Sequence, residues 1–365
     1  MKRILFFVKL PPPLTGATMM NKYACEDPLL KDNFIIKIIP VHYVSQIKDM
    51  GKFSLNKIFI FLRIWLLLLK TIFSFKPDII YFQISPLGTA FIRDLAFVAA
   101  MKLSGKKIIY HLHGLGIKQA AQKNSLFKIL YKFAFNNEYV ICLEENLFDD
   151  IKDVYKKTPF IVNNGIIDEN PDSLPKKNNE TPVLLYLSNL IKSKGIYDLL
   201  EALSNINKKG ISFKAIIAGK EYDIRESDLI CKIDSLGLND CVSYVGPKYG
   251  DEKIELLKNI DILVHPTKND SWGLVILEAF QFSIPVISTY EGAIPKIIDH
   301  GVNGLLYEKG NVEQLTLHIE KMINDKSFRI SAGQKAREKF IEKYTIDVFN
   351  KNIYNLFNDL LNKQK

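Results

Sequence analysis

Short apolar runs alternate with longer stretches of helical character along the whole chain, and this alternation restricts the fold more than any other feature of the sequence. A short apolar run bounded by turn formers reads as a buried strand, and a helical crossover between two such strands makes them parallel neighbours. The strand candidates are Ile4–Val8, Phe34–Ile39, Ile79–Phe82, Lys107–Leu112 and Tyr139–Cys142, then Val183–Ser188, Lys214–Ala218, Val242–Val245, Ile262–His265 and Pro285–Ser288. Five and five predict one α/β architecture built twice. Between the two sets, Asp168 to Thr181 is polar, proline-bearing and without periodicity, as expected of an exposed linker. The expected organisation is a first domain over 1–167, a linker over 168–182, a second domain over 183–340 and a closing helix over 341–365. Helical character in the tail begins near Ser331, and Phe340, Tyr344, Val348, Phe349, Ile353, Leu356, Phe357 and Leu360 recur at three- and four-residue spacing. That apolar stripe must dock on something.

Composition agrees with two globular domains. The chain has 365 residues, 47% hydrophobic and 24% charged, which excludes a disordered chain and a polytopic membrane protein. Its four cysteines, Cys25, Cys142, Cys231 and Cys241, show no CxxC pairing and are expected to be free thiols in a reducing compartment. The run Ile4–Val8 behind Met1-Lys2-Arg3 is too short for a signal peptide, so a first buried strand and a cytoplasmic protein are expected. Charge is uneven: residues 1–165 hold 23 Lys and Arg against 12 Asp and Glu, while the remainder holds 26 against 28. A basic half suits nucleic acid, an anionic membrane or a phosphorylated substrate. No nucleic-acid-binding signature occurs, so nucleic acid is not an expected partner.

Lys57–Phe75 is strongly apolar, with Arg63 between the runs Ile58–Leu62 and Ile64–Leu69 and with Lys52, Lys57, Lys70 and Lys76 around it. Each run is too short to span a bilayer, so the segment is expected to be a buried crossover helix. A sharper reading is that one face meets an anionic membrane from the cytoplasmic side, because basic and aromatic residues beside aliphatics suit the lipid interface.

The stretch Ile262 to Ser288 carries the most chemical information. It parses as a strand, a polar loop, a helix opening near Gly273, a turn and a second strand. Open α/β sheets bind ligands beyond the carboxyl ends of their strands, and a helix start there offers free backbone N–H groups to an anion. Gly273 lets the backbone approach a diphosphate closely, and Glu278 could accept hydrogen bonds from ribose hydroxyls.

Asp270-Ser271-Trp272-Gly273-Leu274 through Glu278-Ala279 resembles the signature of family 4 of the retaining glycosyltransferases, a large group of GT-B type. The usual form is Glu-Ser-Phe-Gly-hydrophobic-x-hydrophobic-x-Glu-Ala, and here Asp270 takes the first acidic place. Gly292-Ala293-Ile294-Pro295 and Gly301-Val302-Asn303-Gly304-Leu305-Leu306 resemble the closing motifs. Leu187-Ser188-Asn189-Leu190-Ile191-Lys192-Ser193-Lys194-Gly195 resembles the Gly-Arg-Leu…Lys-Gly loop, with Asn189 in place of the arginine. Pro11 to Gly16, Tyr110-His111-Leu112-His113-Gly114 and Val162-Asn163-Asn164-Gly165-Ile166 resemble elements of the first half.

The resemblance implies two Rossmann-like domains with parallel sheets facing a central cleft, and a C-terminal helix crossing back to the first domain. It implies metal-independent transfer of a sugar, with retention, from a nucleoside-diphosphate sugar to a saccharide or lipid-linked saccharide. Surface polysaccharide assembly (lipopolysaccharide, O-antigen or capsule) is a common use of the family. Catalytic roles fall to His113, Lys194, Asp270 and Glu278. The donor diphosphate falls to Gly16, Asn189, Lys194, Gly273 and Leu274, the donor sugar to Asp270, Ser271 and Trp272, the ribose to Glu278, and the nucleobase to Gly219, Lys220, Pro247 and Lys248. His111, inside its strand, is expected to be structural. His113 is not assigned as a base, because in this class the departing phosphate takes the acceptor's proton. A growing negative charge on the leaving diphosphate suits fixed cationic and N–H donors. Losing the arginine removes one bidentate donor, for which Lys192 could compensate. No Asp-x-Asp pair and no zinc spacing occurs, so neither a metal nor another cofactor is expected. A sugar-nucleotide epimerase of the same fold and an inactive membrane-associated scaffold are the alternatives.

Overall fold

The computed structural model describes residues 1–41, 55–169 and 180–362, without the side chains of 55–57. Lys52, the Lys57 side chain and residues 170–179 of the expected linker lie outside the described residues. The chain divides into two compact units, Met1–Gly165 with Ile346–Lys365, and Ile166–Thr345.

Unit 1 contains β1 (Arg3–Val8), α1 (Gly16–Glu26), α2 (Pro28–Asn33), β2 (Ile35–Pro40), α3 (Leu55–Phe75), β3 (Ile79–Phe82), α4 (Gly88–Leu103), β4 (Lys107–His111), α5 (Ile117–Lys123), α6 (Ser125–Phe135), β5 (Tyr139–Cys142) and β6 (Phe160–Ile161). Its strands form a six-stranded sheet in the order β2-β1-β3-β4-β5-β6, and every pairing is parallel. The central strands are apolar at nearly every position because helices cover both faces. One face carries α3, α4 and α6, whose Ile64, Leu68, Phe97, Met101, Tyr131 and Phe135 pack on Leu5, Phe7, Ile80 and Ile108. The other face packs Met20, Ala24 and Leu30 of α1 and α2 on Ile4, Phe6, Ile79 and Tyr81.

Unit 2 contains β7 (Val183–Leu187), α7 (Ile196–Lys208), β8 (Lys214–Ala218), α8 (Glu226–Ser235), β9 (Val242–Tyr244), α9 (Gly250–Lys258), β10 (Ile262–His265), α10 (Leu274–Phe280), β11 (Val286–Thr289), α11 (Ile294–Ile297), β12 (Gly304–Tyr307), α12 (Val312–Asn324) and α13 (Lys326–Lys343). Its parallel sheet runs β12-β11-β10-β7-β8-β9. The chain is therefore α/β, with two sheets of the Rossmann-like kind.

Three sequence expectations need correction. Each sheet gains a strand, β6 and β12, that no apolar run announced. Both lie at sheet edges; one is two residues long, and the other opens on Gly304, where a Cβ would stand 2.4 Å from the Val286 carbonyl oxygen. The tail is two helices rather than one. Ile166 N donates to the Tyr344 carbonyl at 3.0 Å and Ile166 pairs with Thr345, drawing that backbone out of helical form. Beyond the break, α14 (Ile346–Asn362) buries Phe349, Ile353 and Phe357 within unit 1, with Phe357 edge-on to Phe6 at 5.9 Å. The third correction concerns α3, which is one helix of 21 residues with an 18-residue window of mean hydropathy 2.1 from Ile58 to Phe75. By length and composition alone it would suffice to cross a membrane. Ile64, Leu68 and Ile72 belong to the core of unit 1, yet Phe59, Leu62, Leu66 and Phe73 are exposed.

All four cysteines are free. Burial pushes the Cys25 and Cys142 thiols up to about 12, which makes them inert core residues at neutral pH.

Candidate active site

The sheet of unit 2 begins at β7, runs outward to β8 and β9, and returns on the other side of β7 at β10. The loops leaving β7 and β10 flank a topological switch point, the place where open α/β sheets bind ligands. Their packing is close. Gly195 has φ +77°, and a Cβ there would stand 1.9 Å from the Pro266 carbonyl oxygen. Lys268 N donates to the Ser193 carbonyl at 2.7 Å. Lys194 is thereby held over the loop that follows β10.

The Lys194 ammonium donates to Asp270 Oδ2 at 2.7 Å and to the Asn269 carbonyl at 3.0 Å. An ammonium has three donors, so one remains without a partner among the described residues. Asp270 also accepts from Trp272 N at 3.2 Å and Gly273 N at 3.1 Å through Oδ1, and meets His265 Nε2 at 3.2 Å through Oδ2. Burial alone would raise the Asp270 carboxyl. The hydrogen bond and charge of His265, followed by Lys194, reverse this and hold it far below the usual carboxylate range. Four contacts use the four lone-pair positions of an ionised carboxylate. Asp270 thus braces the loop, and a sugar hydroxyl would have to displace one of its partners.

The Gly273 amide, expected to meet a diphosphate, is occupied by Asp270. Gly273 has φ +82° and caps α10, leaving the Leu274 amide at the helix start without a partner among the described residues. Gly292 fixes the same loop from the far side, since a Cβ there would lie 2.2 Å from the Asp270 carbonyl oxygen. Ala293 N donates to the Ser271 carbonyl at 3.1 Å. Trp272, expected at the donor sugar, is only 2% exposed and packs edge-on against Tyr344 at 6.0 Å. The side chain that filled a motif position is a core residue here.

Glu278 is half-buried on α10 and takes Lys253 Nζ at 2.8 Å, leaving acceptor capacity for a ligand hydroxyl. Asn189 is half-buried and Lys192 is exposed. Gly219 ends β8 so close to the first loop that a Cβ would stand 1.8 Å from the Ser188 carbonyl oxygen. Lys220 and Pro247 are exposed, and half-buried Lys248 pairs with Glu252 at 3.7 Å. These residues follow β8 and β9 on the same carboxyl edge as Lys194. His265 and Lys253 were not singled out by sequence reasoning. The signal for His265 was its place as the last residue of a strand, five before Asp270.

Gly16 and His113 belong to unit 1. Gly16 opens α1 behind the N-cap Thr15, whose hydroxyl accepts from Thr18 N. His111 is fully buried, with Nδ1 2.5 Å from the Tyr81 hydroxyl, which fits its structural reading. The His113 ring lies 4.0 Å from it. Burial, then the Lys9 charge, bring the His113 imidazole down to about 3, and burial with His113 holds His111 well below its ordinary value. Both rings are neutral in the folded chain at pH 7.

An unfolded imidazole titrates near 6.5, so below that pH the unfolded chain binds protons that the folded chain does not, and stability falls as pH falls. The His113 ring should contribute a loss of up to about 1.4 kcal/mol per pH unit between about 6.5 and 3, and His111 acts in the same direction. Melting curves of the wild type and His113→Gln from pH 7.5 to 5 check this. The variant should lose one share of the slope, and equal slopes would refute the assignment.

Residues 168–340 match the glycosyl transferases group 1 family. The chain is 28% identical over 188 residues to the capsular polysaccharide biosynthesis glycosyltransferase CapM of Staphylococcus aureus, covering 51% of this chain and 48% of CapM. It is 24% identical over 269 residues to the N-acetyl-alpha-D-glucosaminyl L-malate synthase of Bacillus anthracis, covering 71% of this chain and 69% of the synthase. The chain thus spans about half to two thirds of these relatives. HepE of Anabaena in complex with UDP-glucose shares the fold, with a TM-score of 0.73 at 19% identity over 98% of this chain and 99% of HepE. The loop braced by Asp270 and the helix bearing Glu278 both lie inside the segment that matches the glycosyl transferases group 1 family.

Proposed function

We propose that the chain is a retaining glycosyltransferase that moves a sugar from a nucleoside-diphosphate sugar to a saccharide or lipid-linked saccharide acceptor. The observation that carries this reading is Lys194, fixed over the switch point with one ammonium donor to spare and bonded to the loop that leads into the α10 start and its Leu274 amide. A cation and an N–H group held in place stabilise a leaving diphosphate without reorganising at the moment of bond cleavage. They supply that charge without a metal, so EDTA should leave turnover unchanged. Glu278 is suited to the ribose hydroxyls, and His113, held neutral, to hydroxyls of the donor sugar. A thermal-shift screen of nucleoside diphosphates, with UDP first because HepE was solved with UDP-glucose, tests the donor class. A ligand at one hundred times its Kd adds about 2.7 kcal/mol to stability, and a screen in which no nucleoside diphosphate shifts the transition contradicts the reading.

Surface polysaccharide assembly at the inner face of the cytoplasmic membrane is part of this proposal, in keeping with the name of CapM. The outer sides of two helices on one face of unit 1 support it. On α3, Phe59, Leu62, Leu66 and Phe73 are exposed beside Arg63 and Lys70. On α6, Leu126, Ile129 and Phe133 are exposed at helical spacing beside Lys128 and Lys132. Apolar side chains ringed by cations match the surface of an anionic bilayer. Co-sedimentation with liposomes containing anionic lipid should fall on Phe59→Ser and on Leu66→Ser, each by roughly fivefold or about 1 kcal/mol. Binding indifferent to lipid charge, salt and both substitutions would refute the membrane role.

A further inference from the structure

The sheet of unit 1 has its own switch point, between β1 and β3, where the chain leaves β1 for β2 on one side and returns as β3 on the other. Lys9 is the first residue beyond β1. Its ammonium donates to Ser85 Oγ at 2.7 Å and makes no ion pair among the described residues, so two of its three donors are unspent there. The main chain at this point is fixed, because Asn21 Nδ2 donates to the Lys9 carbonyl at 2.8 Å and to Gln83 Oε1 at 2.5 Å.

Behind Ser85 stands Asp94, 1% exposed, which accepts from Ser85 N at 2.8 Å and from Arg93 Nε and Nη2 at 2.9 and 2.6 Å. Asp94 is thus occupied in holding the loop and the guanidinium, and it makes no ion pair with Lys9 among the described residues. Burial lowers the Lys9 ammonium from its ordinary value, Asp94 opposes that and Arg93 adds to it. A half-buried ammonium with a single neutral partner is poorly solvated. Among the described residues no side-chain oxyanion completes its shell.

We propose that Lys9, with Arg93 fixed beside it, forms an oxyanion subsite at the switch point of unit 1 that takes a phosphate or carboxylate group of the substrate bound there. The transferase reading bears only on whose group this is; an anionic acceptor then owes part of its affinity to Lys9. His113 belongs to the same unit, and the Lys9 charge helps to keep its imidazole neutral.

Equilibrium dialysis of the full chain with inorganic phosphate at fixed low ionic strength tests the subsite without any sugar. Lys9→Met should weaken one class of phosphate site roughly tenfold or more, the ordinary worth of a hydrogen bond to a charged group. Lys9→Arg should retain that site, and so should Lys194→Ala, which alters only the site in unit 2. Should Lys9→Met not fold, Arg93→Gln is expected to weaken the same class by several-fold. Phosphate binding unchanged in Lys9→Met or, failing that variant, in Arg93→Gln overturns the proposal, as does binding lost entirely in Lys194→Ala. Acetate competing as well as phosphate assigns the subsite to a carboxylate; phosphate alone assigns it to a phosphorylated group. Failure here leaves donor binding in unit 2 untouched, so the two readings fail separately.

Discussion

Lys194→Ala is expected to lower turnover of a nucleotide-sugar donor by roughly 10²–10³-fold, the usual cost of removing one fixed donor from a developing anion. In the folded chain two of the three Lys194 donors hold Asp270 and the Asn269 carbonyl, and the third has no partner among the described residues. Alanine removes that donor and leaves the half-buried Asp270 carboxylate with His265 as its one side-chain partner among the described residues. Lys194→Arg restores a cation but not the geometry of a point charge, so it should recover part of the activity. Comparing kcat for the three proteins against their melting temperatures separates the chemical effect from loss of the loop. An alanine variant that unfolds normally late and turns over at the wild-type rate would remove Lys194 from the mechanism.

Gly195→Ala is expected to destabilise unit 2 by roughly 2–5 kcal/mol, adding the cost of left-handed backbone for an L-residue to that of overpacking. The clash is with main chain, the Pro266 carbonyl 1.9 Å from the new Cβ, so relief requires backbone movement rather than a side-chain rotation. Gly210→Ala is the natural control: it shares a positive φ, +73°, but has nothing within 4 Å of a Cβ. It should lose only the backbone share, about 1–2 kcal/mol. Thermal unfolding of the two variants side by side measures the difference. Equal losses would show that the two loops do not pack as described.

The candidate site was legible in the sequence to the extent that its residues fill recognisable places on strand ends and loops. Lys194, Asp270, Gly273 and Glu278 stand on the carboxyl edge of one sheet because strands β7 and β10 and helix α10 follow from patterns of apolar residues and a glycine. What each side chain touches was not legible. Trp272 occupies a motif position and yet faces inward, because whether a loop residue turns to ligand or to core depends on Tyr344, a residue far along the chain. The bracing of Asp270 by His265 is hidden for the same reason, as is the pairing of Glu278 with Lys253. Lys9 and Asp94 escaped notice because they are distant in sequence and meet only through Ser85.

The fold shows the same division between local and distant causes. Strands in sheet interiors, such as β3 and β10, are buried at every position and announce themselves as apolar runs. The edge strands β6 and β12 depend on pairing rather than on composition. The break between α13 and α14 coincides with the backbone pairing of Ile166 with Tyr344 and Thr345, which no periodicity encodes.

Following the anomeric proton by NMR while the protein is incubated with a panel of nucleoside-diphosphate sugars tests the central claim most directly. The account predicts slow hydrolysis of at least one donor, with the released sugar first appearing in the donor's own anomeric configuration and with Lys194→Ala silent. A panel left wholly intact, a donor converted to its epimer without release of the nucleotide, or a sugar first released in the opposite configuration would contradict it.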